Sequence, residues 1–172
     1  MTAVSLKKIL RDANKNNYAV AGLVVLAWDD ALAFTKAADE TGIPIILQAG
    51  PSCRAHTPVP LLGKMFRYLA EQTKTHVCCH IDHGYTVREC VEGIDSGFTS
   101  VMFDGSKLSL IENIKTTSKI VKKAHDAKVS VEGEIGFVGY ANGKSSQGTL
   151  TEEAISFAKN SGVDAMAISV GN

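Results

Sequence analysis

The sequence predicts an α/β fold of parallel strands alternating with helices, and within that class a (β/α)8 barrel of the TIM type. Apolar runs of strand length begin near residues 18, 43, 76, 99, 129 and 164, and a helical pattern fills every gap between them. Titratable residues collect where strands three, four and five end. That is the end at which such barrels place their sites. No GxGxxG follows the first strand, so the other fold with this alternation, a doubly wound sheet, lacks its phosphate turn. Six strands in 172 residues fall short of the eight, over ~250 residues, that close a barrel. The expectation is one domain, residues 1–172, supplying about the first six β/α units of an incomplete barrel with two unpaired edges.

Val4 to Asn14 reads as an amphipathic helix with Leu6, Ile9 and Leu10 on one face. Tyr18 to Leu26 is almost continuously apolar, the pattern of a strand covered on both faces. Trp28 to Thr41 is helical, and Gly42 stops it. Ile43 to Gln48 is the second strand, with Pro44 admissible only at its start. Ala49 to Pro60 reads as a loop carrying Cys53, Arg54 and His56, and a helix follows over residues 61–73. His76 to Ile81 is the third strand. Three capping-box patterns, Thr86 to Glu89, Ser109 to Glu112 and Thr149 to Glu152, open the remaining helices. Between and after them lie strands over residues 98–103, 129–132 and 164–170.

The 45% hydrophobic and 21% charged content with zero formal net charge gives no electrostatic footprint for nucleic acid or a membrane surface. No apolar run reaches membrane-spanning length, and Met1 to Lys8 lacks a signal-peptide core. The four cysteines form no CxxC, and Cys78 and Cys79 sit inside an apolar strand. A reduced, cytoplasmic protein is expected.

The chemistry gathers at Val77-Cys78-Cys79-His80-Ile81-Asp82-His83-Gly84. A buried strand has no structural use for two histidines and a carboxylate at its end, since each must be desolvated. Gly84 is expected to turn the chain away and leave Asp82 and His83 at the rim. Asp104 ends the next strand, and Glu132 and Glu134 the one after. Imidazole and carboxylates converging on one mouth suit a divalent cation with an open position, zinc first among them. Taken singly, Asp104 or Glu134 serves as readily as an ion-paired or helix-capping carboxylate.

In these stretches the sequence resembles the class II, metal-dependent ketose-bisphosphate aldolases. The resemblance rests on Tyr18-Ala19-Val20, His80 to Gly84, Gly97 to Ser106, Ala124-His125, Val129 to Gly136 and Gly162 to Ala165, in order along essentially the whole chain. It implies a zinc-dependent lyase of carbohydrate metabolism, including glycolysis, that makes or breaks a carbon–carbon bond in a phosphorylated ketose through an enediolate. It implies His83 as a metal ligand and Asp82 as the catalytic proton donor and acceptor. It also implies that Asp104 and Glu134 help hold the zinc or a second divalent or monovalent cation. The partners implied are dihydroxyacetone phosphate, an aldehyde and further copies of the chain.

The chain also departs from that pattern. It ends at Gly171-Asn172, two residues before a second histidine ligand, and the third ligand and phosphate turns belong to strands seven and eight. Asn142 stands where the family carries a loop glutamate base, among Gly136, Gly139, Gly143 and Gly148, which suit a lid. Gly50 stands where a substrate-contacting serine is common, and Val24 where an asparagine is typical. Gly50, Arg54, His56 and Asn172 are the candidate substrate contacts, while His76 and His125 fall on the opposite rim. The 172 residues alone are expected to be inactive. Two other readings stay open: a catalytically inactive metal- or partner-binding barrel fragment, and a metal-dependent hydrolase, although the first strand lacks the His-x-His usual in such hydrolases.

Overall fold

A computed structural model of the chain describes residues 2–136 and 148–170. Helix α1 (Leu6–Asn16) precedes strand β1 (Ala21–Val24), then come α2 (Trp28–Thr41), β2 (Ile45–Ala49), α3 (Pro51–His56) and α4 (Val59–Gln72). They are followed by β3 (Val77–Gly84), α5 (Val87–Asp95), β4 (Ser100–Asp104) and α6 (Leu110–Asp126). Strand β5 (Ser130–Ile135), α7 (Thr151–Ser161) and β6 (Ala165–Ile168) complete the order. All neighbouring strands pair in parallel, in the sequential order β1 to β6. This is the partial TIM barrel expected from the alternation of strands and helices.

Strand alternation separates two faces. Leu47, Cys79, Ile81, Val101, Phe103 and Val131 point to the helix layer and share one apolar cluster with Leu62, Phe66, Leu69, Ile120 and Ala124. Phe66 and Phe98 meet edge to face at 5.6 Å, and emptying such a position costs ~3–5 kcal/mol. On the inner face Ile46 and Cys78 are covered by Leu6 and Ile9 of α1. That helix starts where the Ser5 side chain accepts from the Lys8 N–H, and ends at Asn17 in the left-handed region.

The strands' N-terminal rim is closed by polar contacts as well as by α1. The Asp164 carboxylate, with its side chain 3% exposed, accepts from Lys7 Nζ at 2.8 Å and from the Val131 N–H at 3.0 Å. His125 Nε2 lies 2.9 Å away from it, and the Lys7 N–H donates to Ser130 Oγ at 3.1 Å. These bonds hold the Asp164 carboxyl below its usual range, against burial, which pushes it up.

Three expectations are corrected. Residues 51–56 form helix α3 where a loop was expected, because Pro51 at its first turn has no N–H to lose. Tyr18 to Leu26 is not covered on both faces: β1 is a sheet edge, with Val24 52% and Leu26 61% exposed. The third capping box does not form. Leu150 is the N-cap of α7 without a side-chain bond. The Thr149 hydroxyl instead donates to the Ile135 carbonyl at 3.0 Å and accepts from the Ser169 N–H at 2.9 Å. No helix among the described residues is long and apolar enough to cross a membrane.

Candidate active site

Strict alternation along β3 would send His80 and Asp82 inward and His83 outward to the helices. A β-bulge prevents this. Ile81 pairs with Val101 and Gly84 with Phe103, so Asp82 and His83 together oppose Met102. The extra residue is accommodated at His83, whose φ of 49° lies in the left-handed region. The expectation that Gly84 makes the turn is thereby corrected. Gly84 is required for close packing, since a Cβ there would meet the Met102 carbonyl oxygen at 2.8 Å and Cys90 Sγ at 2.9 Å.

The re-aimed ring places His83 Nδ1 3.0 Å from Asp104 Oδ2 and 3.2 Å from Glu134 Oε2. Asp104 and Glu134 are register partners on β4 and β5, so both carboxylates rise at one level of the rim. Ser106 fixes Asp104 by donating to Oδ1 from its hydroxyl at 2.6 Å and its N–H at 3.1 Å. Buried Asn113 donates to the Glu134 backbone carbonyl at 2.8 Å. Asp82 Oδ1 lies 3.9 Å from His83 Nε2 and 3.5 Å from Gln48 Nε2. One step deeper, buried His80 has Nδ1 3.0 Å from Ser100 Oγ. Its Nε2 sits 3.4 Å from Glu132 Oε2 without hydrogen-bond alignment.

This crowding sets the charges. Bonds to Asp104 and then Glu134 outweigh burial and push His83 up to about 11, so in the metal-free site it is imidazolium. Burial, then the positive charges of His83 and Arg54, push His80 down to about 3 and keep it neutral. Burial, then repulsion from Asp82 and Glu134, lifts Glu132 to about 7. Asp82 is also raised, first by burial and against the pull of His83 and Arg54. For Asp104, burial pushes up, but the bonds from His83 and Ser106 win and lower it.

His83, Asp104 and Glu134 each offer a donor atom, and all three atoms lie within 4.8 Å of one another. Two observations fit these residues to a divalent cation. One imidazole and two carboxylates are a donor set such ions take. Glu134 Oε2 is also buried, facing the His83 ring at 3.2 Å, and when that ring is the neutral ligand form the carboxylate needs another positive charge beside it. A proton and a cation compete for this set, because the ligand form of histidine is neutral.

The other candidates are placed differently. Gly50 is buried at the end of β2, where a Cβ would lie 3.5 Å from Asp82 Oδ2. Arg54 is turned under the end of β3, its guanidinium donating to backbone carbonyls of Ala49, Asp82 and His83. His56 is exposed, with Nδ1 2.9 Å from Thr57 Oγ1. Asn142 and Asn172 lie outside the described residues, as do Gly139 and Gly143. Sequence reasoning missed Gln48, Ser106 and Asn113. Only Ser106 left a signal, a serine two residues after an aspartate where a side-chain turn closes.

A family model described as class-II fructose-bisphosphate aldolase matches residues 4–172. The fructose-bisphosphate aldolase of Staphylococcus aureus (strain Mu50 / ATCC 700699) is 34% identical over 179 residues, covering 100% of this chain and 63% of that protein. The fructose-bisphosphate aldolase of Treponema pallidum (strain Nichols) is 33% identical over 179 residues, with 98% and 54% covered. Among solved structures, the YdjI aldolase from Escherichia coli K12 superposes with a TM-score of 0.90 at 26% identity, over 99% of this chain and 63% of that one. The chain thus spans less than two thirds of the length of these relatives.

Proposed function

The chain belongs to the class-II fructose-bisphosphate aldolase family, and from that premise we propose that its protein is a metal-dependent aldolase acting on a phosphorylated ketose. The observation that carries this reading is the convergence of His83, Asp104 and Glu134 within 4.8 Å, beside a carboxylate, Asp82, raised in basicity chiefly by burial. His83, Asp104 and Glu134 would hold the ion, for which zinc is proposed. When bound, it supplies Lewis acidity for the negative charge that develops as the carbon–carbon bond breaks.

The chain's own contribution is proton transfer and orientation. In cleavage, the Asp82 carboxylate takes the proton of the hydroxyl adjacent to the breaking bond. The electron pair of that bond passes to the ketone half and an aldehyde leaves; in synthesis Asp82 returns the proton. Burial raises the Asp82 pKa against the pull of His83 and Arg54, which makes its carboxylate a better base than that of an exposed aspartate. Once the ketone half takes up a proton at the carbon that received the electron pair, dihydroxyacetone phosphate and an aldehyde are the proposed products, and a soluble homo-oligomer in the cytoplasm the proposed setting. The test is metal content and ketose-bisphosphate cleavage by the full-length protein beside His83→Ala. Wild type should bind about one tight divalent ion per chain and cleave, and the variant should do neither. Cleavage that survives complete chelation, or wild-type metal content in His83→Ala, would sink the proposal.

A further inference from the structure

We propose that Arg54 is a positioning residue of the metal centre. Its buried guanidinium holds the β3 bulge in the one backbone form that aims His83 at Asp104 and Glu134. The inference rests on the aldolase reading for its purpose, and on geometry for its content.

The Arg54 side chain is only 7% exposed. Burying a guanidinium is costly unless its donors are satisfied. Here every partner is a piece of backbone or a fixed carboxylate. Nη1 donates to the carbonyls of Ala49, at the end of β2, and Asp82; Nη2 donates to the His83 carbonyl at 2.9 Å. The two bulged residues are thus both gripped by one planar fork. Lysine could not reproduce that grip, because a single ammonium reaches fewer acceptors and without fixed geometry.

The grip has something to hold. A non-glycine residue in the left-handed region costs ~1–2 kcal/mol, and it persists only where its surroundings over-determine it. His83 is such a residue, at φ 49°. Were it to relax to extended backbone, alternation would swing its ring from the mouth toward the helix layer, and the donor set would lose its imidazole. Arg54 is itself oriented. Its Nη2 lies 3.7 Å from Glu89 Oε1. The other oxygen of Glu89 is fixed by the Tyr85 N–H at 3.0 Å and the Thr86 hydroxyl at 2.8 Å, at the start of α5. The end of β2, the bulge and the cap of α5 are therefore joined through one side chain that touches none of the reacting groups.

The test uses the full-length protein with Arg54→Lys and Arg54→Met. Chelator competition against zinc, well below the unfolding temperature, should show affinity falling ~10–100-fold, the range for residues that orient metal ligands. Arg54→Lys should lose most of it despite keeping the charge. A merely structural arginine would lower the unfolding temperature and leave zinc affinity at the wild-type value, and that result overturns the inference. If Arg54→Met does not fold, Arg54→Lys decides alone by the same criterion. If wild type takes no metal, the aldolase reading fails. The metal-free structure of whichever variant folds then decides: His83 still at positive φ overturns the role of Arg54, and His83 relaxed to extended backbone supports it.

Discussion

At the N-terminal rim of the sheet, Asp164 accepts from Lys7 and the Val131 N–H, has His125 2.9 Å away, and lies next to a rim plugged by α1. At the C-terminal rim, His83 stands at a left-handed φ between two carboxylates that share its Nδ1, Asp104 at 3.0 Å and Glu134 at 3.2 Å. Among the described residues, the three buried side-chain polar atoms without a hydrogen bond are His80 Nε2, Glu134 Oε2 and Ser169 Oγ. All belong to the interior or the C-terminal ends of strands, and none to the rim of Asp164. The Asp164 cluster is thus satisfied in its side-chain hydrogen bonds, while the mouth around His83 keeps unmet polarity and a metal ligand at left-handed φ. Such a division is what barrels use to separate stability from chemistry.

The largest expected effect would break this division if it failed. Asp82→Asn should reduce turnover ~10²–10⁴-fold, because only proton transfer is removed. Zinc affinity should stay at the wild-type value, and stability should stay within ~0.5 kcal/mol. Metal loss equal to that of His83→Ala would make Asp82 a ligand and overturn its assigned role. The converse substitution is Asp164→Ala. It should lower stability in urea by about 2–3 kcal/mol, since the Val131 N–H, Lys7 and His125 are all left without their partner, while zinc affinity is unchanged. A fall in zinc affinity with stability preserved would show that the two rims are not separate.

Acid sharpens the same comparison. The folded Asp164 carboxyl titrates below its unfolded value of ~3.9. Its contribution is therefore fully present above that value and lost as pH falls through the lower folded one. Wild type should lose stability more steeply than Asp164→Asn across that acid range, with parallel curves near neutrality. Identical acid limbs in the two proteins would remove Asp164 as an anchor of the rim.

The legible parts were those that depend on strand period and residue type. His80, Asp82, Asp104 and Glu134 could be placed on one rim because parallel strands end together, and the capping box at Ser109 forms as read, whereas at Thr86 only the hydroxyl half forms and Glu89 accepts from the Tyr85 N–H instead. What was not legible turns on long-range packing. A bulge leaves no local mark when its left-handed residue is histidine, and Gly84 looked like the turn when it is a packing contact. Pro51 was visible as a helix starter, but six residues are too few to show a period. Arg54 consequently read as part of a surface loop. Thr149 matched a capping box, yet Ile135 and Ser169, far from it in sequence, claim its hydroxyl.

The smallest expected effect separates two caps that look alike. Thr86 accepts from the Glu89 N–H at 3.2 Å, and Ser109 accepts from the Glu112 N–H at 3.3 Å. Each also donates to the carboxylate of that glutamate, at 2.8 and 2.6 Å. Alanine at either position should cost ~1 kcal/mol, the usual loss of an N-cap. The difference lies in what each glutamate does next. Glu112 stays within its own cap, whereas Glu89 also faces Arg54 at 3.7 Å. Thr86→Ala should therefore weaken zinc affinity slightly, by less than either Arg54 variant, while Ser109→Ala should leave it untouched. Equal zinc affinity in the two proteins at matched stability losses would show that Glu89 is only a cap, and that Arg54 holds the bulge without it.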